Sequence, residues 1–179
     1  MAEYRGYVDI PHTTYQEWRT ATIGNSYDVD GTPILQPFQC WDFASEFWWN
    51  LGFSTGYPIT GGNDAKGVWY NRETNKGDVF DLIYDISLTE VGDVLCFSYG
   101  QYGHIGFLDE PYQSGGYVKL LSQNASSPYV TSENVGTSTF QGAFRYKGWH
   151  NPPTPTIGSK HRFPWVLYAR KLREKRSQS

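Results

Sequence analysis

The sequence predicts an α+β domain with helices in its first half and an antiparallel sheet in its second. Cys40, Phe43, Ala44 and Phe47 fall at i, i+3, i+4 and i+7, the spacing of one helical face. From Gly92 onward the chain becomes short β-branched or aromatic runs separated by Gly, Pro, Ser and Asp, the pattern of strands joined by tight turns. Elements segregated along the chain, rather than alternating, give segregated layers. The length of 179 residues suits one domain plus short tails. With 39% hydrophobic and 18% charged residues, the composition is that of a globular protein.

Taken in order, residues 1–24 hold a short helix around Thr14–Thr20, followed by the loop GNSYDVDG. The helix that begins at Cys40 gains another turn at Leu51 and is stopped by Gly52. The Gly-rich loop GYPITGGNDAKG leads into a second helix near Ala65–Tyr70, and residues 79–86 read equally as helix or strand. The strand candidates lie in GDVLCFSYG, HIGFLDE, YVKLLSQN and FQGAFRYKGW. Residues 1–150 form the domain. Residues 151–179 are a Pro-rich linker, NPPTPTIG, and a tail in which Lys160, Arg162, Arg170, Lys171, Arg173, Lys175 and Arg176 gather.

A net charge of −3 gives no reason to expect nucleic acid as a partner. The first residues contain no apolar signal-peptide core, and no run reaches transmembrane length, so neither secretion by a signal peptide nor membrane insertion is expected. Aromatic residues make up 17% of the chain, enough to build a ring-rich core and to line a groove.

Two cysteines have different settings. Cys96 lies inside the apolar run VLCFSY and reads as a core thiol. Cys40 opens a helix, where unpaired N–H groups and the positive end of the dipole favour a thiolate. His104 follows a Gly where a hairpin returns into a strand, placing its ring at the sheet edge over the helix start. A nucleophilic thiol needs such a base. Asn124 ends the next apolar run and is placed to orient the imidazole. Asp28 and Asp30, before Gly31, open in the manner of a Ca²⁺ loop, and Asp42 in the first helical turn is a further candidate ligand. The closing Glu of an EF-hand is absent, and a plain Asp-Gly turn accounts for the same residues. No spacing supports a zinc site.

In order, D-x-D-G, then Gln39-Cys40-Trp41-Asp42-Phe43-Ala44, then Gly92-Asp93-Val94 with Gly103-His104-Ile105-Gly106, then Gln123-Asn124, resemble the CHAP family of cysteine- and histidine-dependent amidohydrolases/peptidases. The resemblance covers roughly residues 14–149 and implies a papain-like fold, helices packed on an antiparallel sheet. It implies Cys40 as nucleophile, His104 as general base and then acid, Asn124 as the orienting residue, and the Cys40 backbone N–H with Gln39 as oxyanion donors. It implies bacterial peptidoglycan as substrate, cut by a monomer without organic cofactor, with Ca²⁺ as a candidate structural ion. Such a protein would be made in a host cytoplasm and reach the cell wall at lysis or within a virion. Two positions depart from the family pattern. Ser122 stands where related phage enzymes often carry Glu, and TPILQPF lengthens the gap between the acidic loop and Cys40. A non-catalytic wall-binding or virion module, and an amidase for small cellular amides, are the competing expectations.

Overall fold

The structure, a computed structural model, describes residues 12–29, 38–53 and 64–150. The start of the chain, Asp30 with the rest of its loop, and the Pro-rich and basic stretch from 151 lie outside the described residues.

Helix α1 spans Tyr15–Thr22. Thr14 caps it by accepting the Glu17 N–H at 3.2 Å, and the Glu17 carboxylate reaches back to the Thr13 N–H at 2.9 Å. It buries Tyr15, Trp18 and Thr22 and runs two residues beyond the expected end. Helix α2, Cys40–Asn50, is not a one-sided amphipathic helix. Every residue from Trp41 to Trp48 is buried, including Asp42, Ser45 and Glu46, which lie off the face that Cys40, Phe43, Ala44 and Phe47 share. Helix α3 spans Ala65–Tyr70 as expected, capped by Asp64.

Six strands form one antiparallel sheet in the order β1-β6-β2-β3-β4-β5. They are β1 Phe80–Ile83, β2 Val94–Phe97, β3 His104–Leu108, β4 Tyr117–Ser122, β5 Thr131–Gly136 and β6 Phe140–Tyr146. Of the ambiguous stretch 79–86, residues 80–83 become strand, paired with β6 at the sheet edge, and Ile86 opens a short 3-10 turn. Strand β5, TSENVG, was not expected. It pairs with β4 alone and buries only Val135, so its residues carry no alternating apolar pattern.

One face of the sheet meets the helices. Trp18, Phe43, Phe47 and Phe107 form the centre of that layer, with ring centroids 5.1–5.8 Å apart. Such pairs add roughly 0.5–1.5 kcal/mol each beyond the area they bury. A smaller cluster containing Leu95, Phe97, Leu108 and Leu120 lies on the other face. Asp109, just past β3, binds Arg19 of α1 through a 2.6 Å contact and also accepts from Tyr15 and Ser132, tying α1 to the strands that lead to the site. Among the described residues no helix is long and apolar enough to cross a membrane.

The Gly92-Asp93-Val94 signature has a mechanical role here. Asp93 is fully buried and takes the Arg145 Nε–H at 3.0 Å, the Arg145 Nη2–H at 2.8 Å and the Glu90 N–H at 2.9 Å. This clamp joins the turn before β2 to β6. Asp93→Ala should lower the unfolding free energy by about 3 kcal/mol, because it leaves a largely enclosed guanidinium without its main partner. Urea unfolding of the two proteins checks it.

Candidate active site

The site begins where the chain enters α2. Phe38 takes a left-handed backbone, φ +72°, an uncommon conformation for a bulky residue, and turns the chain into the N-cap Gln39. The Gln39 N–H donates to Asp42 Oδ2 at 2.7 Å, and the Val29 N–H donates to Asp42 Oδ1 at 3.1 Å. Asp42 is buried and fastens the preceding loop to the first helical turn. Cys40 is thereby fixed as the first residue of α2, partly open to solvent.

The sheet makes room for it. Strands β3 and β4 pair at Leu108↔Leu120 and Phe107↔Leu121, and the register goes no further toward His104. Amides of β3 alternate in direction. The Leu108 N–H goes to Asp93 O on the β2 side, and the Asp109 N–H goes to Lys119 O on the β4 side. By that alternation the Ile105 N–H faces β4, and there it meets the Cys40 sulfur. The first residue of α2 therefore supplies the acceptor that β4 would have supplied. Gln123 holds the split in place. Its buried amide accepts the Tyr27 N–H at 2.8 Å and donates to Tyr27 O at 2.8 Å and Gln39 O at 3.0 Å.

His104 begins β3 and is buried. Its peptide carbon is bonded to the nitrogen that meets the Cys40 sulfur, so thiol and histidine share one corner of the fold. Its Nε2 lies 3.0 Å from Ser122 Oγ. With Nε2–H donating to that hydroxyl, Nδ1 keeps its lone pair. The close approach of β4 requires Gly106, because a Cβ there would lie 2.7 Å from Ser122 Cβ and 2.8 Å from Leu121 O.

Burial sets the proton affinities. It pushes the Cys40 thiol up to about 11, against the pull of the Ile105 and Trp41 N–H groups. It pushes the His104 imidazole down to about 4. The helix start was expected to lower the thiol; burial works the other way as the larger effect, and it disfavours the charged form of both groups.

The expected site residues are thus distributed unevenly. Cys40 meets the Ile105 N–H at the split, one peptide from His104, with Gln39 directly before the thiol. The backbone N–H of Gln39 is committed to Asp42, and its side chain closes the capping box on the Asp42 N–H. Asn124 sits in the turn after β4, exposed, at φ +63°, with its N–H donated to Ser127 O at 2.8 Å. The contact expected of it belongs to Ser122. The turn draws Asn124 out of the strand, whereas Ser122 stays on the strand face that Leu108 and His104 share. Asp28 is half-buried, Asp30 lies outside the described residues, and the Asp42 carboxylate is turned to two backbone amides. Among the described residues no three acidic, histidine or cysteine side chains gather as a metal site. Each Asp42 oxygen already accepts one backbone N–H of the cap. Cys96 is a buried core thiol, as expected. The sequence reading missed the structural role of Gln123 and the contact made by Ser122. The alternation of LLSQN held a signal for Ser122, which shares a face with Leu120.

Comparison with known proteins gives three results. The family model described as CHAP domain matches residues 28–124. A D-alanyl-L-alanine endopeptidase of Streptococcus phage B30 is 30% identical over 156 residues, 80% of this chain and 32% of that protein. The chain thus spans about a third of the length of this curated relative. The crystal structure of the wild-type endolysin LysIME-EF1 overlays with a TM-score of 0.57 at 18% identity, covering 75% of this chain and 62% of the other. That likeness gives the papain-like α+β fold.

Gln123→Leu strands the Tyr27 N–H and the Tyr27 carbonyl, while the Gln39 carbonyl keeps its bonds from the first turn of α2. It should cost about 2–4 kcal/mol of stability. Denaturant titration, with circular dichroism to establish that the variant folds, checks this.

Proposed function

This chain belongs to the CHAP domain family, and from that premise we propose that it is a cysteine hydrolase cutting amide bonds of bacterial peptidoglycan, with Cys40 as nucleophile and His104 as base. The observation that carries the reading is the sulfur at the first residue of a buried helix, set against the Ile105 N–H beside a histidine. The phage B30 relative is named an endopeptidase, which favours a peptide bond over the N-acetylmuramoyl-L-alanine linkage as the bond cut.

The chemistry is two-step acyl transfer. The Cys40 S–H gives its proton to His104 Nδ1 as sulfur bonds the substrate carbonyl carbon. The Ile105 and Trp41 N–H groups stabilise charge as it develops on sulfur. The Cys40 N–H and the Gln39 side chain receive the oxyanion, a kind of contact typically worth about 100-fold to 1,000-fold in rate. The tetrahedral species collapses with cleavage of the C–N bond, and the imidazolium protonates the departing amine. Water, losing a proton to His104, then attacks the thioester, and the thiol is restored as the carboxylic product leaves. Ser122 holds the far nitrogen throughout. We place the activity at the cell wall, reached at lysis or from a virion, and the active species as a monomer. Asn124 retains a role only from outside the His104 contact, at the mouth of the site.

One observation favours a second reading, a non-catalytic wall-binding or virion module. Among the described residues no carboxylate meets the His104 Nε2, whose partner is the neutral Ser122 hydroxyl. Activity separates the two. Cys40→Ala should abolish solubilisation of purified walls while leaving circular dichroism and wall binding unchanged. Mass spectrometry of the wild-type digest should show new free amino termini. Lysis by Cys40→Ala would remove the nucleophile assignment, and absence of lysis by the wild type would favour the binding module.

The Ca²⁺ proposal rests on Asp28, Asp30 and Asp42, from their sequence order. Chelation by EDTA should lower the melting temperature by a few degrees and added Ca²⁺ should restore it, an effect of about 1 kcal/mol. An unchanged melting temperature would leave Asp28 and Asp30 as a turn.

A further inference from the structure

We propose that Tyr99 is a positioning residue for His104, its ring serving as the wall between the imidazole and solvent and fixing the plane of the imidazole. This rests on the reading of His104 as the base. The Tyr99 ring centroid lies 5.7 Å from that of His104, with 30° between the planes. That is the separation of rings in contact.

The location of His104 makes such a wall necessary. It is the first residue of β3, directly after a turn in which Tyr99, Gly100, Gln101 and Tyr102 are all exposed. Yet His104 itself is only 3% exposed, while Tyr99 is 39% exposed. A ring that touches the imidazole and is itself open to water forms the boundary. Tyr99 is supported in turn by the buried Phe97, at 6.4 Å between centroids. The turn that carries it is held by α3, where the Lys66 N–H donates to Tyr102 O at 3.2 Å and Lys66 Nζ donates to Gly100 O at 3.4 Å.

The bond to Ser122 does not fix the ring alone. A single contact at Nε2 leaves the imidazole free to pivot, and a hydroxyl can donate as well as accept, so it does not select the tautomer. A ring against the imidazole removes the pivot. The titratable groups around this corner are Cys40 from α2, Tyr99 itself and Glu133 from β5. The Tyr99 phenol is pushed up to about 12, chiefly by burial and then by the charges of Cys40 and Glu133, so it stays neutral wherever the enzyme would work. Its contribution to His104 is therefore exclusion of water and steric guidance, not charge. The enclosed imidazole is correspondingly held low, near 4.

The experiment compares the full chain with Tyr99→Phe, Tyr99→Leu and Tyr99→Ala. The His104 imidazole is titrated by NMR, and rates on purified walls are followed against pH and wall concentration. Tyr99→Phe should keep the His104 midpoint and the rate near wild type. Tyr99→Ala should raise the midpoint by at least about one pH unit toward the ordinary 6.5 and move the acid limb of the rate with it. It should also lower the maximal rate at least about tenfold, with little change in half-saturation. Tyr99→Leu, which keeps apolar bulk, should fall between them, and it carries the test if the alanine variant does not fold. An unmoved His104 midpoint in both Tyr99→Ala and Tyr99→Leu overturns the proposal, as does a shift in Tyr99→Phe equal to that in Tyr99→Ala. If the wild type lyses no wall, the hydrolase reading fails, whereas the NMR midpoints still decide whether Tyr99 walls in His104.

Discussion

The site depends on one interruption in a β-ladder. Strands β3 and β4 pair as far as Phe107↔Leu121 and then part, and the Ile105 N–H turns to the Cys40 sulfur. A buried amide without an acceptor is costly, so the split persists only because the start of α2 fills it. Two polar devices maintain that insertion. Asp42 ties the helix cap to Val29, and Gln123 ties the same cap to β4 and Tyr27. Neither touches a substrate, yet each sets where the sulfur stands. The aromatic layer of Trp18, Phe43, Phe47 and Phe107 fixes the helix against the sheet from behind.

The same burial that fixes the sulfur acts on its proton. It disfavours the thiolate and the imidazolium alike, while the Ile105 and Trp41 N–H groups pull the thiol the other way.

Much of this was legible in the sequence, for identifiable reasons. The helical spacing of Cys40, Phe43, Ala44 and Phe47 and the alternation of the later runs are local patterns, and α2, α3, β2, β3, β4 and β6 followed from them. Strand β5 was not legible, because an edge strand with one pairing partner and one buried side chain writes no apolar pattern. Placing Asn124 on His104 required a straight β3–β4 register carried to its end. The register breaks at Phe107↔Leu121, and the turn at Asn124 takes that residue to the surface. The break is made by residues far away in sequence, and no local window contains it. Likewise the lowered thiol expected at a helix start is a local inference, and the burial that opposes it comes from tertiary packing.

Ser122 gains its meaning from the buried imidazole. A carboxylate at the far nitrogen stabilises an imidazolium in the resting state and in the transition state alike, and only the difference between the two would speed the reaction. Where the imidazole rests uncharged, an orienting partner needs to hold the ring and leave Nδ1 unprotonated, which a hydroxyl accepting the Nε2–H does. What the hydroxyl lacks is selectivity of tautomer and charge to stabilise the imidazolium when it forms. The first can be offset by steric guidance of the ring, and the second by the backbone N–H groups that stabilise the opposite charge on sulfur. The exchange of a carboxylate for a serine therefore shifts the work of orientation from electrostatics to packing, and makes the walls of the His104 enclosure part of the machinery that the acid would otherwise supply.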